Sequence, residues 1–325
     1  MKGELMEERL RQYFRNKGFY VVRGIKFIYD SFDITDVDLW LYNKTSDITR
    51  ERIIVDIKNK KTPQAIERIF WTRGLLTALR VNSCMVATSE KRESIRNFGK
   101  LNGVTVLDGN FLNTLPLTID RLTDEEFVNL FAINEADQLS VEWVKRYELF
   151  KTNLLAIDFS NLNRLLTDLK ELFEQSIVNP LRKESTNRFI YCTVSYILIC
   201  FDFLLKDLLT LEEIDRKNRI SEGLKFGNLG RSGIERTLDV AIRISKQSMN
   251  VRSNFLKLYE SLSVDILSEF FSKQNNSDKI FEQAIKFDAL AYSKQFLAPS
   301  KIDPELKGIL SVFLDYHGVE RNSFF

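Results

Sequence analysis

The sequence predicts two fold classes in succession: an α/β domain over residues 1–117 and an all-α domain over residues 118–325. Three observations carry this division. Up to about residue 115, short β-branched runs alternate with helical patterns. From about residue 120 the strand signals vanish and long amphipathic stretches follow. Charge changes as well, with 20 basic against 14 acidic residues up to residue 118 and 27 against 31 beyond it.

The elements follow in order. LMEERLRQYFRNKG sets Leu5, Leu10, Tyr13 and Phe14 at helical spacing, with Gly18 as a stop. FYVVRGIKFIYD reads as one or two strands with a bend or bulge at Gly24. DVDLWLY and RIIVDIK form a hairpin across the turn NKTSD. Pro63 suits the first turn of the helix AIERIFWTRGLLTALR. SCMVAT is a buried strand, SEKRESIRNFGKLNG a helix ending at Gly103, and VTVLDG a final strand before Pro116. NLNRLLTDLKELFEQSIV then places Leu162, Leu165, Leu166, Leu169, Leu172 and Phe173 on one face. Breaks at 180–187, 221–233 and 272–278 suggest six to nine helices in the second domain. GLKFGNLGRSG lacks the lysine and hydroxyl of a phosphate loop and is expected to be a loop between helices.

Composition narrows the chemistry. With 44% hydrophobic and 28% charged residues, the chain has an ordinary globular balance. Three cysteines without a paired spacing argue against a zinc site or disulfide framework, and fit a reducing, cytoplasmic setting. The charged N-terminus carries no signal-peptide pattern. FIYCTVSYILICFDFLL, residues 189–205, is short for a membrane span and is expected to be a buried core helix. The single histidine, His317, excludes histidine triads and multi-histidine metal sites, and suits a surface or capping role. Any catalysis must therefore run on carboxylates, lysines and a metal.

One constellation has that chemistry. In DVDLWLY, Asp38, Trp40 and Tyr42 share one face and Val37, Leu39 and Leu41 the other. In RIIVDIK, Ile53, Val55 and Ile57 form the core face, leaving Asp56 and Lys58 opposite. Asp38, Asp56 and Lys58 can then meet at one cleft. Two neighbouring carboxylates repel unless a cation joins them, and Mg2+ prefers such oxygen ligands. A lysine beside it can assist an attacking water and stabilise charge on a phosphate. Lys60 and Lys61 flank this cleft, while Arg68 and Arg73 follow on the next helix with Trp71, which is expected in the core.

The order of these residues resembles the PD-(D/E)XK nuclease superfamily, in its Mrr-type branch, over residues 1 to about 115. EERLRQYFRNKGFYVV is similar to the opening helix and first strand, ITDVDLWLY to the first acidic strand and IIVDIKNKK to the catalytic strand. FGKLNGVTVLDGNFL is similar to the closing segment. The resemblance implies a restriction-endonuclease-like fold, a mixed sheet flanked by helices. It implies Asp38, Asp56 and the Ile57 carbonyl as metal ligands, Lys58 as the catalytic lysine and Glu8 as a metal contact through water. Gln64 matches a glutamine on the following helix, and Lys60, Lys61 and Arg68 are candidate nucleic-acid contacts. Asp36 competes with Asp38, and Glu7 or Glu4 with Glu8. The usual proline before the first acid is absent, since Val37 stands there. The implied activity is Mg2+-dependent endonuclease hydrolysis, with Mn2+ able to substitute, on DNA ahead of RNA. Restriction or anti-phage defence is the biological setting it suggests. The helical domain is expected to regulate, to dimerise, or to bind a partner protein, without a membrane. The competing reading is a non-cutting nucleic-acid- or protein-binding adaptor on the same fold.

Overall fold

The computed structural model describes residues 2–58, 64–131, 138–245 and 250–325. Two compact units result, one of Met1–Ala156 with Tyr292–Lys294 and the other of Ile157–Ala291 with Gln295–Phe325. The first unit runs past residue 117, where the strand signals end, because the next helices are tied into it.

In the first unit, α1 (Lys2–Asn16) leads into β1 (Tyr20–Tyr29), β2 (Phe32–Lys44) and β3 (Arg50–Lys58). Then come α2 (Ala65–Leu79), β4 (Ser83–Thr88), α3 (Glu93–Leu101) and β5 (Thr105–Leu107). The sheet order is β1-β2-β3-β4-β5. The first two junctions are antiparallel and the last two parallel, so this is the mixed five-stranded sheet with flanking helices that the pattern predicts. Gly24 has a positive φ of 61°, but the register runs unbroken across it. The irregularity lies instead between Phe27 and Ile28. Leu10 and Phe14 of α1 pack on Leu39, Leu41, Ile53, Val55 and Ile57, the expected core face. Each such side chain contributes about 1.5–3 kcal/mol when fully buried.

The opposite face is not exposed as simple alternation would have it. Trp40, Tyr42 and Ile54 are buried there, and α2 buries Ile69, Thr72, Leu75 and Leu79. A sheet covered by helices on both faces must be apolar on both. Beyond β5 come α4 (Gly109–Leu112), α5 (Asp124–Asn129) and α6 (Gln138–Asn153). Tyr292 stacks on Phe127 at 4.5 Å, and its carbonyl accepts from the Leu122 amide at 2.8 Å.

The second unit is helical. Among the described residues it holds α7 (Phe159–Val178), α8 (Lys183–Leu205), α9 (Glu213–Phe226), α10 (Gly230–Ser245) and α11 (Asn250–Glu260). The single-turn α13 (Gln274–Ser277) and α16 (Arg321–Phe324) accompany α12 (Asp265–Ser272), α14 (Ile280–Tyr292) and α15 (Pro304–His317). With α5 and α6, residues 118–325 hold twelve described helices rather than six to nine. The six apolar residues predicted for one face of α7 are all buried. α8 is long and apolar enough to cross a membrane, yet every residue from Phe189 to Asp202 is buried within the protein. A central core helix explains its composition.

GLKFGNLGRSG is mostly helical, not a loop. α9 extends to Phe226, a single 3-10 turn covers Gly227–Leu229, and α10 begins at Gly230. Gly223 is there for space: a Cβ would lie 2.5 Å from the Phe159 ring. Gly223→Ala is expected to destabilise the protein by about 1–3 kcal/mol, as overpacking does. Gly308 in α15 has nothing within 4 Å of its missing Cβ. Gly308→Ala should therefore stabilise by up to about 1 kcal/mol through helix propensity. Urea denaturation of both variants checks the opposite signs.

Candidate active site at the strand fork

The pairing of β2 with β3 ends at Leu39↔Val55, while β3 stays paired with β4 as far as Lys58↔Thr88. The antiparallel and parallel halves of the sheet therefore part beside Asp38 and Asp56. Carrying the register one step further sets these two residues opposite each other, on the α2 face. The Ile57 amide, freed from the β2 ladder, donates to Asp38 Oδ2 at 2.5 Å. A carboxylate thus caps the opening strand pair.

Asp38, Asp56, Ile54, Thr72 and Leu75 line a narrow crevice, with Asp36 at its rim. The Thr72 hydroxyl is buried there without a hydrogen-bond partner. Burial pushes the Asp38 carboxyl up to about 6; the Ile57 amide, Lys58 and Arg68 oppose this and Glu7 reinforces it. Lys58, half-buried at the end of β3, forms no ion pair among the described residues.

Asp56 is differently placed. Arg68, one turn into α2, donates from Nε to Asp56 Oδ2 at 2.8 Å and from Nη2 to Oδ1. Such a forked pair takes both carboxylate oxygens. Arg68, expected to meet nucleic acid, is thus turned inward onto a predicted metal ligand. Its guanidinium also lies 5.8 Å from the Trp71 ring. Trp71 is 44% exposed and Phe70 beside it 59%, so Trp71 is a surface aromatic and not a core residue.

Glu8 is drawn elsewhere. It is buried, and its Oε1 accepts from Arg11 Nη1 at 3.4 Å, Arg23 Nη1 at 3.1 Å and the Asp124 amide at 3.1 Å. Asp124 in turn takes Arg11 at 2.7 Å and Lys151 at 3.6 Å. This ionic cluster fastens α5 and α6 to α1 and β1. The α1 carboxylate whose charge reaches Asp38 is Glu7, itself held by Arg23 Nε at 2.7 Å. Asp36 is exposed, on the same strand face as Asp38. Gln64 is exposed at the N-cap of α2, where its carbonyl accepts from the Arg68 amide at 3.0 Å. Lys60, Lys61 and Pro63 lie outside the described residues.

No group of three acidic, histidine or cysteine side chains suited to a metal is assembled among the described residues. The donor set at the fork nonetheless fits a hard cation. Asp38 and Asp56 offer oxygens from adjacent strands, an orphaned hydroxyl faces the same crevice, and a cation would relieve the raised Asp38 carboxyl. Arg68 must leave Asp56 for both acids to serve.

The raised Asp38 carboxyl has a consequence for stability without metal. Its folded value of about 6 exceeds the ordinary 3.8, so its contribution is fully present below about pH 4 and lost as pH rises through 6. The shift corresponds to at most about 3 kcal/mol. Asp38→Asn is therefore expected to stabilise the metal-free protein at pH 8 by about 1–2 kcal/mol. Thermal denaturation at pH 5 and pH 8 measures this; a lower melting temperature for the variant at pH 8 would contradict it.

No protein-family model matches the chain, and no curated protein or solved structure is significantly similar to it.

Proposed function

We propose that the first unit is a restriction-endonuclease-like, Mg2+-dependent nuclease acting on DNA ahead of RNA. The observation that carries this reading is the fork: Asp38 opposite Asp56, with Lys58 two residues on along the same strand face. Asp38, Asp56 and the Ile57 carbonyl would hold the ion, with Glu7 rather than Glu8 as the helix carboxylate nearest in charge. When bound, Mg2+ supplies Lewis-acid stabilisation of the phosphate and lowers the pKa of water. Lys58 then faces the scissile group with its amine, orienting the nucleophile and countering charge that grows on the phosphate oxygens. Trp71, 5.8 Å from the Arg68 guanidinium, offers an exposed ring, and base stacking on such rings is tolerant of sequence. Restriction or anti-phage defence, a cytoplasmic setting and a pairing or partner-binding role for the helical unit complete the proposal.

A second reading is favoured by one observation. Arg68 already neutralises Asp56, as in a nuclease fold retained only for binding. The two readings part in a cleavage assay on plasmid, linear duplex, single-stranded DNA and RNA, with Mg2+ or EDTA. Wild type is expected to cut DNA in Mg2+ and not in EDTA, and Asp56→Asn to lose at least a hundredfold in rate. Tight nucleic-acid binding with no cutting in either condition would favour the binding module.

A further inference from the structure

The helical unit contains a cavity that the fork chemistry does not use. It measures about 460 Å3, within the range of small-molecule sites, and lies between α7, α9, α11 and the end of α15. Its lining is chemically one-sided. Lys170 and Lys225 bring two amines, Tyr259 and Tyr316 two phenol rings, and Asn163 and Thr167 further polar groups, with no carboxylate in the wall.

The only histidine of the chain completes the wall. His317 is half-buried in the last turn of α15, ahead of the C-cap Gly318, and lies 4.7 Å from the Tyr316 ring and 6.2 Å from Phe173. Its Nε2 is buried and has no hydrogen-bond partner. A buried polar atom left without a partner costs free energy. Burial, and then the charge of Lys170, hold its imidazole down at about 4. Both lysines are lightly engaged. Lys225 Nζ donates to the Glu260 carbonyl at 3.1 Å, and Lys170 has only the exposed Glu174, 4.0 Å away along its own helix.

We infer that this cavity binds a small nucleoside phosphate, with Lys170 and Lys225 on the phosphate, Tyr259 and Tyr316 against the base and His317 in the adjoining wall. Two lysines line the cavity and no carboxylate does, which favours an anion. Two rings in the same wall select a flat aromatic group over inorganic phosphate alone. This inference stands apart from the fork and does not require that the fork cut nucleic acid.

The single histidine makes the test site-specific. The imidazole proton resonances of the full-length protein would be followed by NMR while AMP, GMP, CMP, UMP, adenosine and inorganic phosphate are titrated separately. At least one nucleoside monophosphate is expected to shift the His317 resonances and raise its pKa, binding at least tenfold more tightly than inorganic phosphate. Lys170→Gln with Lys225→Gln should weaken that binding at least tenfold while leaving the ligand-free melting temperature nearly unchanged. If the double variant folds poorly, Tyr259→Leu tests the ring contact alone, with the same tenfold expectation. Resonances unmoved by every nucleotide at millimolar concentration would overturn the inference. So would equal binding of inorganic phosphate, or shifts that persist in the variants.

Discussion

Lys58→Ala is expected to lower Mg2+-dependent DNA cleavage by two to four orders of magnitude, the range general acid–base and charge-stabilising groups command. The reasoning rests on where Lys58 stands. It ends β3, beyond the last β2 partner, and its charge favours the ionised form of Asp38. Losing that charge should carry Asp38 still higher, so the acid limb of the rate profile should move to higher pH. Lys58 forms no ion pair among the described residues, and its removal should change stability by only about 0.5 kcal/mol. The rate loss would then be chemical and not a loss of fold. Lys58→Arg keeps a charge but changes its shape and basicity, and should restore only part of the rate. Single-turnover cleavage over pH 6–9, with melting temperatures of each variant, measures both effects. Cleavage unaffected by Lys58→Ala would place the chemistry elsewhere.

Arg68→Ala should have the largest effect on the metal-free fold. It leaves the Asp56 carboxylate, 8% exposed, without its forked partner. Breaking a buried pair costs about 3–5 kcal/mol, and the partial exposure of Arg68 brings the expectation to about 2–3 kcal/mol. In a chain of 325 residues that lowers the melting temperature by roughly 3–5 °C. The same substitution clears both Asp56 oxygens for a cation. Mg2+ should therefore raise the melting temperature of Arg68→Ala by more than that of wild type. If Mg2+ has no greater effect on the variant, Arg68 is not a gate before the ion, and the binding-module reading gains.

The sequence exposed the site unevenly, for physical reasons. Alternation along DVDLWLY and RIIVDIK identified which side chains share a face, because the period of a strand is two whatever surrounds it. That period placed Asp38, Asp56 and Lys58 correctly on one side and Leu39, Leu41, Ile53, Val55 and Ile57 on the other. Periodicity is silent about what covers a face, so Trp40 and Tyr42 gave no sign that they would be buried. Arg68 carried a faint signal, a cation one turn into the helix after β3. Nothing local could show that it turns inward. Glu8 and Arg11, three apart on one helix, advertise an ion pair, but Arg23 and Asp124 join them from 15 and 116 residues away. Such distant partners draw Glu8 into the ionic cluster, while Glu7 is the α1 carboxylate whose charge reaches Asp38. His317, expected in a surface or capping role, stands half-buried in the last turn of α15, a degree of burial that its position in the sequence does not reveal.

The sheet order repeats the chain order, strand by strand. No strand must wait for a later one to be threaded beside it, so pairing can advance in step with synthesis. A chain emerging from its N-terminus would have Asp38, Asp56 and Lys58 on a finished hairpin by residue 58, ten residues before Arg68 exists. For that interval the two acids have only Lys58 and solvent cations to answer their charge. Ionic conditions during synthesis therefore bear on how readily this hairpin closes, before any question of catalysis arises.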